Sequence, residues 1–212
     1  MAEQDNNSFN DQPVLVEDNS LAKIAWQLII GAAVAVAVVG AAVYYWYQKQ
    51  QTAEIAAAAL AAAHDAAQWQ QVVDQYPGTA AAGSALLLLA ADRQEKQDYA
   101  GAAELYAGYL QKYADSSLVS AVQFARAQSL AADGQTDAAQ TAYLAIVDAK
   151  PANPYAGGAA VALARVYLAG HNVSAARQTL TDFISREVNV NSSFLNEANQ
   201  LLRELPQGGA GR

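Results

Sequence analysis

Gly134–Pro151, GQTDAAQTAYLAIVDAKP, is the stretch whose reading decides the fold. A turn residue opens it and a proline closes it. Between them Ala139, Tyr143, Ile146 and Val147 stand four, three and one residues apart. Apolar residues at i, i+4, i+7 and i+8 share one face of an α-helix, so the stretch predicts an amphipathic helix between two breakers.

Moving outward, the same face recurs at a fixed interval. A shift of 37 residues aligns Trp69, Tyr106, Tyr143 and Leu180, then Val72, Tyr109, Ile146 and Phe183, then Val73, Leu110, Val147 and Ile184. Four residues before the aromatic column stand Ala102, Ala139 and Ala176, with Asp65 in the earliest copy. A second set precedes each of these helices: Leu87, Phe124 and Val161, and Ala90, Ala127 and Ala164. A period of 20–50 residues is the signature of stacked supersecondary units, each of which buries its apolar face against the next. Turn signals separate the paired helices at Lys96-Gln97-Asp98, Asp133-Gly134-Gln135 and Gly170-His171-Asn172. Others separate the units at Tyr76-Pro77-Gly78, Asp115-Ser116-Ser117 and Pro151 to Pro154. A last helix is expected to be capped by Ser192 or Ser193, to bury Phe194, Ala198, Leu201 and Leu205, and to stop at Pro206.

These columns resemble the tetratricopeptide repeat, a helix–turn–helix unit, and Gly134…Ala139…Tyr143…Ile146…Pro151 is the copy that matches its second helix best. The first-helix pattern is degraded, with Ala127 in the glycine place, and extra residues between units lengthen the period.

Before the repeats lies Ile24–Tyr47, IAWQLIIGAAVAVAVVGAAVYYWY, without a charged residue. At 1.5 Å per residue this helix measures about 36 Å, enough to cross a hydrocarbon core of about 30 Å with some tilt. Lys23 and Lys49 close the run, and Trp26, Tyr44, Tyr45, Trp46 and Tyr47 stand where interfacial aromatic belts belong. A cleaved signal peptide fits less well, because its apolar region is shorter and follows a basic segment, whereas residues 1–23 here are acidic. The expected organisation is all-α: a disordered acidic tail over 1–23, a single transmembrane helix over 24–47, a tetratricopeptide-like α-solenoid of helix hairpins over 48–206, and a flexible end over 207–212. Since Thr52 to Ala56 continue as good helix formers, the span is expected to run into the first repeat helix without a flexible linker.

Composition narrows the function. Of 212 residues roughly a quarter are alanine, which favours closely packed helices over a sheet. There is no cysteine, which removes disulfides, thiol chemistry and cysteine-based zinc sites. A net charge of −8 gives no footprint for nucleic acid. His64 and His171 are far apart and fall near turns, without further metal ligands beside them. No phosphate loop, nucleophile elbow or kinase signature occurs. The expectation is a protein that is not an enzyme, takes no cofactor or metal, and works by recognition. Leu87, Phe124, Gln128, Val161 and Arg165 on the first helices are the candidates for a protein-binding surface. The apolar three fit core as well as groove, and Gln128 and Arg165 are the better candidates for exposed contact.

The whole layout, with Gly40, Tyr45 and Trp46 closing the span and Gln48-Lys49-Gln50 leading into the repeats, resembles the family of ancillary subunits of the SecYEG translocon. The resemblance implies a bacterial inner-membrane protein with a single span, its N-terminus in the cytoplasm and its repeats in the periplasm. There it would assist secreted clients together with a periplasmic chaperone. The positive-inside rule leaves topology open, with Lys23 against Lys49; orientation rests on the resemblance. Two other readings use the same residues: a repeat adaptor of another envelope machine (cell division, pilus or outer-membrane assembly), and a self-assembling structural oligomer.

Overall fold

The computed structural model describes residues 20–150, 152–186 and 193–206. Expectations for residues 1–19 and 207–212 lie outside them. Among the described residues the fold is all-helical, with no strand: α1 (Ser20–Ala62), α2 (Ala66–Gln75), α3 (Ala80–Glu95), α4 (Tyr99–Lys112), α5 (Val119–Ala132), α6 (Thr136–Val147), α7 (Ala156–Ala169), α8 (Val173–Arg186) and α9 (Ser193–Glu204). Two compact units result, Met1–Gln50 and Gln51–Arg212.

The first unit carries the apolar part of α1. From Trp26 to Ala62 this helix is long and apolar enough to cross a membrane, with a window of mean hydropathy 2.3. Its side chains are exposed throughout 26–50. Residues 20–23, where the described chain begins, are helical and belong to α1. It ends at Ala62, fifteen residues beyond Tyr47, because the alanine-rich stretch after Gln51 has high helix propensity.

In the second unit the 37-residue interval is written into the backbone. Helices α3, α5 and α7 end at Glu95, Ala132 and Ala169, and α4, α6 and α8 begin at Tyr99, Thr136 and Val173, each one period apart. The turns between them are equally spaced copies. Gln97, Gly134 and His171 have φ of 60°, 78° and 59°. The residues after them, Asp98, Gln135 and Asn172, donate their N–H to the carbonyls of Arg93, Leu130 and Tyr167 at 2.8, 3.0 and 2.8 Å. This is the paired bond pattern of a helix ended by a left-handed residue. Asp98 and Asn172 then cap the following helices, their side-chain oxygens accepting from the N–H of Gly101 and Ala175 at 3.0 and 3.1 Å.

From α2 to α9 each helix packs on its neighbour in sequence, and α9 also touches α7. Their apolar faces form three successive clusters. The first joins Ala56 of α1 to Val72, Leu86, Leu89, Tyr106 and Tyr109; the second holds Ala127, Leu130, Tyr143, Ile146 and Leu163; the third holds Val161, Ala164, Leu180, Phe183 and Ala198. Ala90, Ala127 and Ala164, the small column of the first helices, are fully buried. A polar chain crosses between the first two clusters. Tyr106 Oη donates to Gln94 Oε1 at 3.2 Å, Gln94 Nε2 donates to Ser129 Oγ at 2.9 Å, and Ser129 Oγ donates to the Ala125 carbonyl at 3.0 Å.

Two expectations need correction. Asp65 is not the small residue of the earliest copy but the N-cap of α2, accepting from Gln68 N at 2.8 Å, which starts that helix one turn late. Phe194 is 39% exposed, not buried. It stands at the first turn of α9 and covers glycines: a Cβ on Gly157 or Gly158 would meet its side chain at 3.2 or 3.3 Å.

Candidate protein-binding surface

The first-helix column sits at three depths. Val161 is 2% exposed and belongs to the third cluster. Leu87 is half-buried against the first cluster. Phe124 is half-buried in an aromatic group: its ring stacks on Tyr155 with centroids 5.5 Å apart and meets Tyr143 edge-on at 6.1 Å. The glycine pair of α7 admits this packing, since a Cβ on Gly158 would lie 3.3 Å from Phe124 Cζ. Gln128 and Arg165 are exposed on α5 and α7. Arg165 Nη2 pairs with Glu197 Oε1 of α9 at 2.5 Å, so this cation ties two helices together. The five candidates therefore differ in burial and in pairing.

The candidate membrane-interface residues lie on α1, where Trp26, Tyr44, Tyr45, Trp46, Tyr47 and Lys49 are all exposed. Gln48 Nε2 donates to Tyr44 Oη at 2.9 Å. Lys23 lies in the first turns of the same helix.

A concavity that the sequence reading did not single out opens between α6, the start of α7 and α8, with a volume of about 440 Å³. Val147, Leu163 and Phe183 give it an apolar lining, and Asp148, Asp182 and Arg186 bring charges to it. Local departures from the repeat create the space. Helices α4 and α8 end two whole periods apart, at Lys112 and Arg186, but α6 stops at Val147, two residues short of the matching position. The chain there runs into Pro151, and proline disfavours helix in the residue before it. Ala156 and Gly157 then open α7 with almost no side-chain bulk. Asn153, only 8% exposed, fixes the connection: its Nδ2 donates to Gln123 Oε1 at 3.1 Å and its Oδ1 accepts from Tyr155 N at 2.9 Å. Arg186 Nη1 lies 3.4 Å from Asp148 Oδ1, with both side chains more than half exposed, so the pair is held loosely. The sequence signal was there to be read: one period earlier Asp148 and Asp182 match the uncharged Gln111 and Ala145.

Elsewhere, the Arg93 guanidinium beside Asp98, at 2.6 Å, holds its carboxyl below the usual range, aided by the Gly101 N–H. Burial pushes the Tyr143 phenol up to about 12. Burial also raises Tyr106, the corresponding residue one period earlier. His64 and His171 are exposed at turns, and no group of three or more metal-ligating side chains occurs among the described residues. Compared with protein-family models and with curated proteins, the chain matches none.

Proposed function

We propose that this chain is a membrane-anchored helical-repeat protein that makes protein–protein contacts in the bacterial envelope. The apolar part of α1 acts as an uncleaved span, with the N-terminus in the cytoplasm, and the helices after it form a tetratricopeptide-like solenoid in the periplasm. Its place is at the SecYEG translocon, as an ancillary subunit that assists emerging clients together with a periplasmic chaperone. The observation that carries the repeat reading is the recurrence, at 37-residue intervals, of the ends of α3, α5 and α7, the starts of α4, α6 and α8, and the left-handed turn residues between them. Stacked units of this kind present extended surfaces to partners. The anchor reading rests on an apolar helix whose side chains are exposed over 26–50, in a stretch that water would solvate poorly. Recognition, in place of catalysis, fits a surface on which Asp98 caps a helix and Asp92 and Asp148 stand in ion pairs.

Alkaline phosphatase fused after Arg212 tests the topology. The fusion is expected to be active in intact cells. An inactive fusion at normal expression would overturn both the periplasmic location and the translocon reading.

A further inference from the structure

The pocket beside α6, α7 and α8 differs in charge from the rest of the array. Two carboxylates, Asp148 and Asp182, face a single guanidinium, Arg186, which is turned towards Asp148. No ion pair engages Asp182 among the described residues. Beneath these charges lies the apolar lining of Val147, Leu163 and Phe183. A volume of about 440 Å³ falls within the range of about 300–1,000 Å³ typical of small-ligand pockets. One period earlier Gln111 and Ala145 stand in the places of Asp148 and Asp182, Asp115 in that of Ala152, and Arg126 where Leu163 lies in the pocket. Short α6, small Ala156 and Gly157, and the carboxylates of Asp148 and Asp182 thus converge on one interface.

We propose that this pocket docks a polypeptide segment in which a basic side chain stands beside an apolar one. Charge complementarity selects the occupant: the excess negative charge attracts a cation, and the lining takes the neighbouring aliphatic side chain. An acidic segment would meet both carboxylates, and a purely apolar one would leave Asp182 without an ion pair. The inference rests on the reading of the chain as a protein-binding array, and specifies which segments of a partner it holds.

The test uses the full-length chain in a non-ionic detergent and a dye-labelled, end-capped hexapeptide, Ser-Gly-Leu-Arg-Gly-Ser, followed by fluorescence anisotropy. The same peptide with glutamate in place of arginine is the control. Saturable binding of the arginine peptide is expected, with the glutamate peptide weaker by about tenfold or more. Asp182→Asn is expected to weaken the arginine peptide by about tenfold with an unchanged melting midpoint, because the residue is exposed. Ala156→Phe, which fills the pocket, is expected to abolish binding; if that variant does not fold, Asp182→Asn decides. Equal affinity for the two peptides, no saturable binding of either, or an Asp182→Asn affinity equal to wild type overturns the proposal. The arms also separate this inference from the functional reading. Translocon crosslinks without a peptide preference sink the pocket alone, whereas a peptide preference without those crosslinks sinks the translocon reading alone.

Discussion

Gln97, Gly134 and His171 hold one left-handed backbone conformation in three successive turns, and only the middle one is glycine. For a residue with a Cβ this conformation costs about 1 kcal/mol or slightly more. His171→Gly is therefore expected to raise the stability of the folded array by about 1 kcal/mol, and Gly134→Ala to lower it by a similar amount; chemical denaturation of the two variants measures both. The turns themselves were legible in the sequence, because glycine and polar residues cluster there. The conformation of Gln97 and His171 was not, since neither residue type demands it. Only the register with Gly134 reveals it.

Tyr143 offers a test by pH. Its phenol titrates at about 12 in the folded chain, above an ordinary value of 10.0. A raised value means that the neutral form is favoured by folding, so this contribution is full below about pH 10 and is lost as pH rises towards 12. Tyr143→Phe is expected to move the alkaline unfolding midpoint upward, as followed by circular dichroism. At the acid end Asp98 has the opposite sign: its lowered value contributes stability above about pH 4, lost as pH falls further. Phe124, read from sequence as either core or groove, is packed between Tyr143 and Tyr155. Phe124→Asp would put a carboxylate among aromatic rings, at a cost of several kcal/mol against a typical domain stability of about 5–15. A large fall in melting temperature is expected, and a loss of partner binding with an unchanged melt would contradict this packing.

Among the elements, the periodic columns located the helices because a face that must be buried leaves a regular mark on the sequence. The small residues Ala90, Ala127 and Ala164, expected from the sequence where two helices cross closely, are all fully buried. Ala127→Leu is accordingly expected to destabilise the array by about 1–3 kcal/mol through overpacking, measured by denaturant titration. Departures from the columns were harder to read. Asp65 fitted the alignment by position but acts as a cap, which displaces the start of α2. Phe194 has the spacing of a core residue, yet it packs over Gly157 and Gly158 from the edge of α9. The pocket beside α6 lay in the same blind spot. It arises where the repeat is broken, and the residues that break it carry no periodic mark.

At the scale of the molecule, the all-helical architecture of the described residues and, among them, one apolar helix fit to cross a membrane were both readable from the sequence, from alanine content, the 37-residue interval and the uncharged run. Which partner meets the array is a property of surface chemistry, and surface residues are under no periodic constraint that would expose their role. Gln128 and Arg165 illustrate this: both read as exposed polar positions, but Arg165 is engaged with Glu197. The central claim is that the anchored array works at the translocon. Crosslinking of the full chain in native membranes, followed by mass spectrometry, measures this directly. The expected result is crosslinks from the helices after Gln51 to translocon subunits and to a periplasmic chaperone. Crosslinks confined to another envelope machine, or only between copies of this chain, would contradict it.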